Sequence, residues 1–312
     1  MRLGITGGAG FIGANLSKLL VDSGHEVYLF DNLETGFKNN VDFASPTKFV
    51  EGDLRSADNI KSFFEELGIE YCVHLGALGS VPRSIDNPRD SFEVNALGTL
   101  NILEAAKINN IPVMFSSSSS VYGSNLKLPK IEKDWLSPIS PYAASKLAAE
   151  SLVTAFGRSF SMQVLTYRLF NVYGPWQNPT GIYSAVIPKW IFAAFKKQPL
   201  ILYGNGEQKR DFTFVSDVVR IFKNSIEKKH ASDFPVNLAF GNPVSLNNIL
   251  GVFESYFGNL TIEKLTERQG DIKDSAANPE SLIELHDNNV LQTQLNDGLF
   301  STFDWFKSRY NF

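Results

Sequence analysis

The sequence predicts an α/β fold, a doubly wound parallel sheet carrying a second, smaller α/β lobe. Three observations predict it. A glycine turn, Thr6-Gly7-Gly8-Ala9-Gly10-Phe11-Ile12-Gly13, joins an apolar segment, Met1 to Ile5, to a helical pattern through Leu16, Leu19, Leu20 and Val21. Apolar strands alternate with helical stretches as far as about residue 165. An acid, Asp31, closes the second strand eighteen residues after Gly13. Strands alternating with helices imply a parallel sheet covered on both faces, with right-handed crossovers.

Each element follows in order. Glu26 to Phe30 reads as the second strand, and Lys48-Phe49-Val50 as the third, leading into Gly52-Asp53-Leu54. A helix is expected over Ile60 to Leu67, and a buried strand over Tyr71-Cys72-Val73-His74-Leu75. Val94, Leu97, Leu100, Ile102 and Leu103 predict one long helix from Ser91 to Asn109. Pro112 to Phe115 forms a strand that runs into the serines 116–120. A helix from about Tyr142 to Phe156 and a strand from Val164 to Arg168 complete the pattern. These elements delimit a first domain over residues 1–170, to which 215–240 return.

After residue 170 the loops grow richer in Pro, Gly and Asn, as in Gly174-Pro175-Trp176-Gln177-Asn178-Pro179. Helical patterns persist at Ala185 to Phe195 and Ser245 to Phe257. Residues 171–214 and 241–312 therefore read as the smaller, substrate-binding lobe.

Composition narrows the function. The chain has 312 residues, 43% of them apolar, which is ample for a large core. A formal charge of −4 gives no nucleic-acid footprint, although a local basic pocket for a phosphate stays open. Cys72 is the only cysteine, so neither an intrachain disulfide nor a cysteine metal cluster is expected. Four histidines without close spacing argue against a metal site. No apolar run reaches bilayer length, and the N-terminus lacks a signal-peptide layout, so a soluble cytoplasmic protein is expected.

The glycine turn carries the first chemistry. Gly7 and Gly10 leave no side chain in the way of a pyrophosphate, and Gly13 lets helix and strand approach closely. Free N–H groups at the start of the helix face the anion. Asp31 is placed to bind ribose hydroxyls and to repel a 2′-phosphate, which favours NAD over NADP. Gly7, Asp31, Asp53, Gly76 and Ser118 all lie just past strand ends, where ligands of such sheets gather.

A second group suits proton transfer. Tyr142 and Lys146 lie four apart at the start of a predicted helix, on one face. Such pairs also occur on solvated faces. A tyrosine with a pKa of about 10 is a poor base at neutral pH. A nearby ammonium and an oxidised nicotinamide would lower that pKa, and the phenolate could then deprotonate an alcohol as hydride leaves the same carbon. Ser118, in the run before Val121-Tyr122-Gly123, is placed to hydrogen-bond the reacting oxygen. Some of the five serines simply satisfy backbone groups at the strand end.

Taken together, the glycine turn, Asp31-Asn32, Asp53-Leu54, the serine run with Val-Tyr-Gly, and Tyr142-x-x-x-Lys146 resemble the extended short-chain dehydrogenase/reductase family. Within it the chain is most similar to NAD-dependent nucleotide-sugar 4-epimerases of the UDP-galactose and UDP-N-acetylglucosamine type. The resemblance covers nearly the whole chain and implies a Rossmann-type first domain. It implies that Gly7, Gly10, Phe11, Ile12, Gly13, Asp31, Asn32, Asp53, Leu54, Leu75, Gly76, Ala77, Asn95, Tyr142, Lys146 and Phe170 bind NAD. It implies Ser118, Tyr142 and Lys146 as the catalytic residues. Substrate contacts would come from Ser80, Ser118, Ser120, Tyr142, Asn171, Arg210, Arg268, Asp271 and Ser275, with no metal. In the second lobe these positions fall in Tyr167-Arg168-Leu169-Phe170-Asn171, Arg210-Asp211-Phe212 and Arg268-Gln269-Gly270-Asp271. A guanidinium fork suits a diphosphate.

Departures from the family pattern are also informative. Dehydratases of the family carry Thr-Asp-Glu where this chain has Ser118-Ser119-Ser120, so the acid and base that eliminate water are missing. The decarboxylases' Glu at this place is absent too. Leu78 to Ser84 resembles the group acting on N-acetylated hexoses. Galactose-restricted bacterial enzymes place a bulky Tyr where this chain has Ser275, which leaves room for a 2-acetamido group. The expected reaction is interconversion of UDP-GlcNAc and UDP-GalNAc, with UDP-Glc and UDP-Gal as further substrates. Two other readings stay open at this point. One is another redox-neutral epimerisation, of UDP-glucuronate at C4 or of a nucleotide sugar at C2. The other is a non-catalytic dinucleotide sensor. The resemblance implies a homodimer whose four-helix interface uses the helices near Ser91–Asn109 and Tyr142–Phe156. Neither nucleic acid nor membrane is expected as a partner.

Overall fold

The computed structural model describes residues 1–41, 48–181, 184–267 and 274–312. The chain divides into two compact units. The first comprises Met1–Asn125, Glu132–Leu169 and Val219–Asn237, and the second comprises Leu126–Ile131, Phe170–Val218 and Leu238–Phe312.

The first unit opens with β1 (Arg2–Thr6), α1 (Phe11–Asp22), β2 (Glu26–Asp31), β3 (Lys48–Glu51), α2 (Ala57–Leu67) and β4 (Tyr71–His74). Then come α3 (Val81–Asp86), α4 (Pro88–Phe92), a π turn (Glu93–Leu97) and α5 (Gly98–Ile108). β5 (Val113–Ser118), a 3-10 turn (Ser119–Tyr122), α6 (Pro141–Phe160) and β6 (Val164–Leu169) follow. Local chemistry sets the helix ends. Ser56 caps α2 by accepting from the Asn59 amide, and Gly68 ends it in the left-handed region. Ser140 caps α6 by accepting from the Ala143 amide, with Pro141 at the first helical position.

Further elements are β7 (Val172–Tyr173), α7 (Val186–Phe195), β8 (Leu200–Tyr203), β9 (Lys209–Arg210), β10 (Thr213–Phe214), α8 (Val215–Glu227) and β11 (Val236–Leu238). The chain closes with β12 (Val244–Ser245), α9 (Leu246–Phe257), β13 (Ile262–Leu265), β14 (Asp274–Ser275), α10 (Glu280–Leu285) and α11 (Leu295–Tyr310). β11 joins the main sheet, whose order is β11-β6-β5-β4-β1-β2-β3. The pairs β1·β2, β1·β4, β2·β3, β4·β5 and β5·β6 are all parallel. Strand order turns back at β1 and β4, the place where such sheets open a crevice at the carboxyl edge. α2 packs on α5 and α5 on α6, and Phe63, Phe64, Ile102, Leu103, Phe115 and Val153 belong to one buried cluster.

In the second unit three small sheets replace a large one: β10-β7, β12-β9-β14 and β13-β8. Its core is aromatic, with Phe253 and Phe303 edge to face at 4.7 Å and Trp190 against Phe253. Residues 126–131 join this unit because Lys130 pairs with the 276–278 segment through its own amide and carbonyl.

The structure differs from the expected elements in one informative way. The single helix predicted over Ser91 to Asn109 is two helices joined by the π turn. Apolar spacing reads burial and does not sense a widened turn. Here Gly98 lies so close to Leu54 that a Cβ would sit 2.8 Å from the Leu54 Cβ. Among the described residues, no helix is long and apolar enough to cross a membrane.

Candidate active site

In the first unit the β1–α1 turn is built by close backbone approach. Gly7 has φ +69°, and a Cβ there would lie 2.7 Å from the Gly76 nitrogen. A Cβ at Gly13 would lie 2.3 Å from the Gly7 carbonyl oxygen. No side chain caps α1 at Gly10, so the helix start at Phe11 and Ile12 presents N–H groups that have no partner within the helix.

Asp31 serves this turn before it serves any ligand. One carboxylate oxygen accepts from the Ala9 amide at 3.0 Å and the other from the Leu33 amide at 2.8 Å. Burial raises its pKa against those two bonds. A carboxylate has about four acceptor directions, so capacity for ribose hydroxyls remains. Asn32 donates to Asp53, and Arg55 grips both Asp53 oxygens, at 3.0 and 2.6 Å. That guanidinium holds the Asp53 carboxyl down at about 2. Leu54 is buried. The amides of Leu75 and Gly76 donate to Thr6, to its carbonyl and its hydroxyl respectively, and Ala77 follows them. Ser80 caps α3 by accepting from the Arg83 amide, and Arg83 pairs with Glu34.

Asn95 is buried in the π turn. Its amide oxygen accepts from the Leu78 N–H at 2.8 Å, and its nitrogen donates to the Leu78 carbonyl and to Ser145. Asn95 thus ties the Leu78 loop to α6.

The structure brings Ser118, Ser120 and Tyr142 together. Ser118 Oγ accepts from the Ser120 amide at 3.2 Å and from the Ser120 hydroxyl at 2.9 Å. A hydroxyl has two lone pairs and one proton. With both lone pairs taken, the Ser118 proton is available to a further partner, and the Ser118 side chain acts on the neighbouring Tyr142 phenol. Burial pushes the Tyr142 pKa up and the Ser118 bond opposes it. The expected downward pull on the phenol thus comes from Ser118 in the protein itself. Lys146 is buried, with its ammonium 4.4 Å from the centre of the Phe115 ring. Burial drives Lys146 down to about 7, and Glu150 opposes this.

Beneath the site lies His74, wholly buried. Its Nδ1 meets the Thr6 hydroxyl at 2.6 Å and its Nε2 the Thr99 hydroxyl at 2.9 Å. Thr99 donates its own proton to the Asn95 carbonyl. Nε2 therefore carries the imidazole proton and Nδ1 accepts. Burial, with Lys146 adding to it, drives the His74 pKa to about 3, so the ring is neutral.

In the second unit Phe170 is buried, and Asn171 adopts φ 32°, which suits Asn better than most residues. Asn171 donates to the Asp211 carbonyl and accepts from the Thr213 amide. Arg210 and Ser275 are register partners on the parallel strands β9 and β14. Asp211, fully buried, holds that pairing by accepting from the Gly241 and Ala277 amides. Arg268 and Asp271 lie outside the described residues.

Sequence reasoning passed over Glu150, Arg168, His74 and Asp211. Arg168, His74 and Asp211 lie inside stretches already named without a role of their own, and Glu150 is legible as an acid one helical turn beyond Lys146.

Comparison with known proteins follows the same lines. The profile of the NAD dependent epimerase/dehydratase family matches residues 3–239. A UDP-glucuronate 4-epimerase of Thermodesulfobacterium geofontis is 31% identical over 316 residues, 97% of this chain and 95% of that protein. The UDP-N-acetylglucosamine 4-epimerase of Methanobrevibacter ruminantium, solved with UDP-N-acetylmuramic acid, superposes with a TM-score of 0.92 at 33% identity, covering 99% of this chain and 98% of that one. The UDP-glucose 4-epimerase of Thermus thermophilus, solved with NAD, gives 0.89 at 30% identity, covering 98% and 99%.

Proposed function

We propose a function on one premise: the chain belongs to the NAD dependent epimerase/dehydratase family. It is an NAD-dependent nucleotide-sugar 4-epimerase. The substrate we assign is UDP-GlcNAc, interconverted with UDP-GalNAc, with UDP-Glc and UDP-Gal also accepted. The observation that carries the chemistry is the Ser120–Ser118 hydroxyl pair beside Tyr142, which opens α6 one turn before Lys146. What supports the N-acetylated substrate is the small side chain of Ser275, in register beside Arg210.

The first unit fits the cofactor. The Gly7 and Gly13 positions admit no side chain, the start of α1 is uncapped, and Asp31 has acceptor capacity left. Gly7, Gly10, Phe11, Ile12 and Gly13 would hold the pyrophosphate, Asp31 and Asn32 the ribose, and Lys146 the nicotinamide ribose. When bound, NAD would supply an acceptor for the C4 hydride and a donor for its return, so that no net redox change occurs.

The protein's own residues manage the proton. Tyr142 takes the 4-hydroxyl proton, and the Ser118 bond stabilises the phenolate that this requires. A charged Lys146 lowers the cost of that phenolate. Ser118 then polarises the 4-keto group, a role an oriented hydroxyl performs with little reorganisation. Arg210 would hold the diphosphate while the keto-sugar presents its other face, and Asn171 would steady the uridine diphosphate. Arg268 and Asp271 would add contacts to the diphosphate and the uridine ribose.

We assign a homodimer as well. Ile85, Phe92 and Leu97 stay exposed along α3, α4 and the π turn, and Ala144, Ser151 and Ala155 along α6. α3 and α4 both pack on α6, so these positions suit a shared helical interface.

The test is a proton NMR time course with UDP-GlcNAc, UDP-Glc and UDP-glucuronate in separate tubes, without and then with added NAD. The anomeric signal of UDP-GalNAc is expected to grow. Turnover of UDP-glucuronate alone would transfer the assignment to that substrate, and no turnover of any would overturn the enzymatic reading.

A further inference from the structure

We infer that Glu150 is a positioning residue for the reaction, whose carboxylate holds the serine strand against α6 and keeps the Lys146 ammonium charged. The inference rests on the roles proposed above for Ser118, Tyr142 and Lys146.

The geometry is that of a hub. Glu150 lies one turn beyond Lys146 on α6, on the same face, and is buried. It accepts from Ser117 Oγ at 2.6 Å, from Arg168 Nη2 at 2.6 Å and from Arg168 Nε at 3.1 Å. Arg168, also buried, donates from Nη1 to the Tyr122 hydroxyl at 2.8 Å and to the Glu132 carbonyl at 3.2 Å. Its guanidinium lies 4.8 Å from the Tyr122 ring centre, and the Tyr122 hydroxyl donates to Asn237. Ser117 directly precedes Ser118, and Tyr122 ends the 3-10 turn that carries Ser120. Both ends of the segment that presents Ser118 and Ser120 are therefore tied to one ion pair.

A buried ion pair is a poor device for stability alone, because desolvating two charges offsets most of their attraction. What it supplies is a fixed arrangement and a fixed charge. Among the described residues, Lys146 has Glu150 one turn on along α6, Tyr142 one turn before it, His74 from β4 and the Phe115 ring from β5. His74 is neutral and Tyr142 is held in its phenol form by burial. Arg168, on β6, faces Glu150 from its other side and stays charged. Glu150 is thus the anion of this group, and it works against the burial that drives Lys146 toward its neutral form. A neutral Lys146 would leave the phenolate without its cation.

The experiment follows Lys146 directly. The protein is labelled with 13C at the lysine Cε, the Lys146 signal is assigned through Lys146→Arg, and its titration is recorded with NAD present. Glu150→Gln is expected to lower the midpoint by about one pH unit, the scale set by a neighbouring opposite charge. The alkaline limb of kcat should move down with it. Glu150→Asp keeps the charge and should restore the midpoint while turnover stays low, because the shorter arm no longer reaches both Ser117 and Arg168. Ser117→Ala should leave the midpoint in place and reduce kcat more than it raises KM. If Arg168 without its carboxylate stops the Gln variant from folding, Glu150→Gln/Arg168→Met removes both charges and carries the same expectation. An unmoved Lys146 midpoint in whichever of these folds overturns the inference. The titration needs no substrate. Absence of turnover in the wild type would therefore count against the proposed reaction and leave the lysine result readable.

Discussion

Asn95 donates from Nδ2 to Ser145 Oγ at 2.9 Å, which ties the π turn to α6 between Tyr142 and Lys146. Ser145 in turn donates to the Tyr142 carbonyl. Asn95→Ala would break this tie and leave the buried Leu78 amide without its acceptor, at a cost of about 1–3 kcal/mol. The expected kinetic outcome is a fall in kcat that exceeds the loss of NAD affinity. Fluorescence titration with NAD beside steady-state turnover separates the two; a larger loss of NAD affinity would make Asn95 a direct cofactor ligand instead.

Tyr142→Phe keeps the ring and removes the proton acceptor. Turnover should drop by about 10²–10⁴-fold, the usual worth of a general base, with UDP-sugar affinity nearly unchanged. Calorimetric binding and a coupled epimerisation assay on the same preparation decide this. Retained turnover would remove Tyr142 from the mechanism.

Glu150 and Arg168 predict a non-additive stability pattern. Arg168→Met alone leaves a buried carboxylate without its partner and should cost about 3–5 kcal/mol, whereas Glu150→Gln/Arg168→Met should recover much of that loss. Urea unfolding of the three variants and the wild type supplies the double-mutant cycle.

His74 predicts a pH dependence of stability. Its folded pKa of about 3 lies below the ordinary value of 6.5. As pH falls below 6.5 the unfolded chain binds a proton that the folded protein refuses, so stability contributed by the neutral ring is present above 6.5 and is lost toward about 3. His74→Gln, which cannot titrate, should be the less stable protein at neutral pH, with the gap closing in acid. Urea midpoints across that range test it, and a gap of constant size would refute the buried neutral imidazole.

Ser275→Tyr should spare UDP-Glc and penalise UDP-GlcNAc, by roughly 10- to 200-fold in kcat/KM ratio if the 2-acetamido group passes this residue. Equal effects on both sugars would place Ser275 away from C2. Phe92→Glu would test the proposed dimer in the same spirit, by a shift to monomer in analytical ultracentrifugation.

Much of the site is legible in the chain because its chemistry is local. A glycine turn between a strand and a helix, an acid at the next strand end, and Tyr142 with Lys146 one helical turn apart each follow from spacing within a single element or a pair of neighbours. The same holds for the alternation of strands and helices, which by itself determined a parallel sheet and the placing of Gly7, Asp53 and Gly76 just past strand ends; Asp31 and Ser118, expected there too, are instead the last residues of their strands. Only the tertiary structure decided which groups those residues answer to. Glu150 meets Arg168, Ser117 meets Glu150, and His74 links Thr6 to Thr99, across separations in sequence that no periodicity records. Burial moved the acid–base behaviour, since Lys146, His74 and Asp31 depart from their ordinary pKa values through desolvation, a property of the packed surroundings. The π turn around Asn95 belongs to the same class, because hydrophobic spacing reports which face is buried and is blind to how the backbone widens to bring an amide against Leu78 and Ser145.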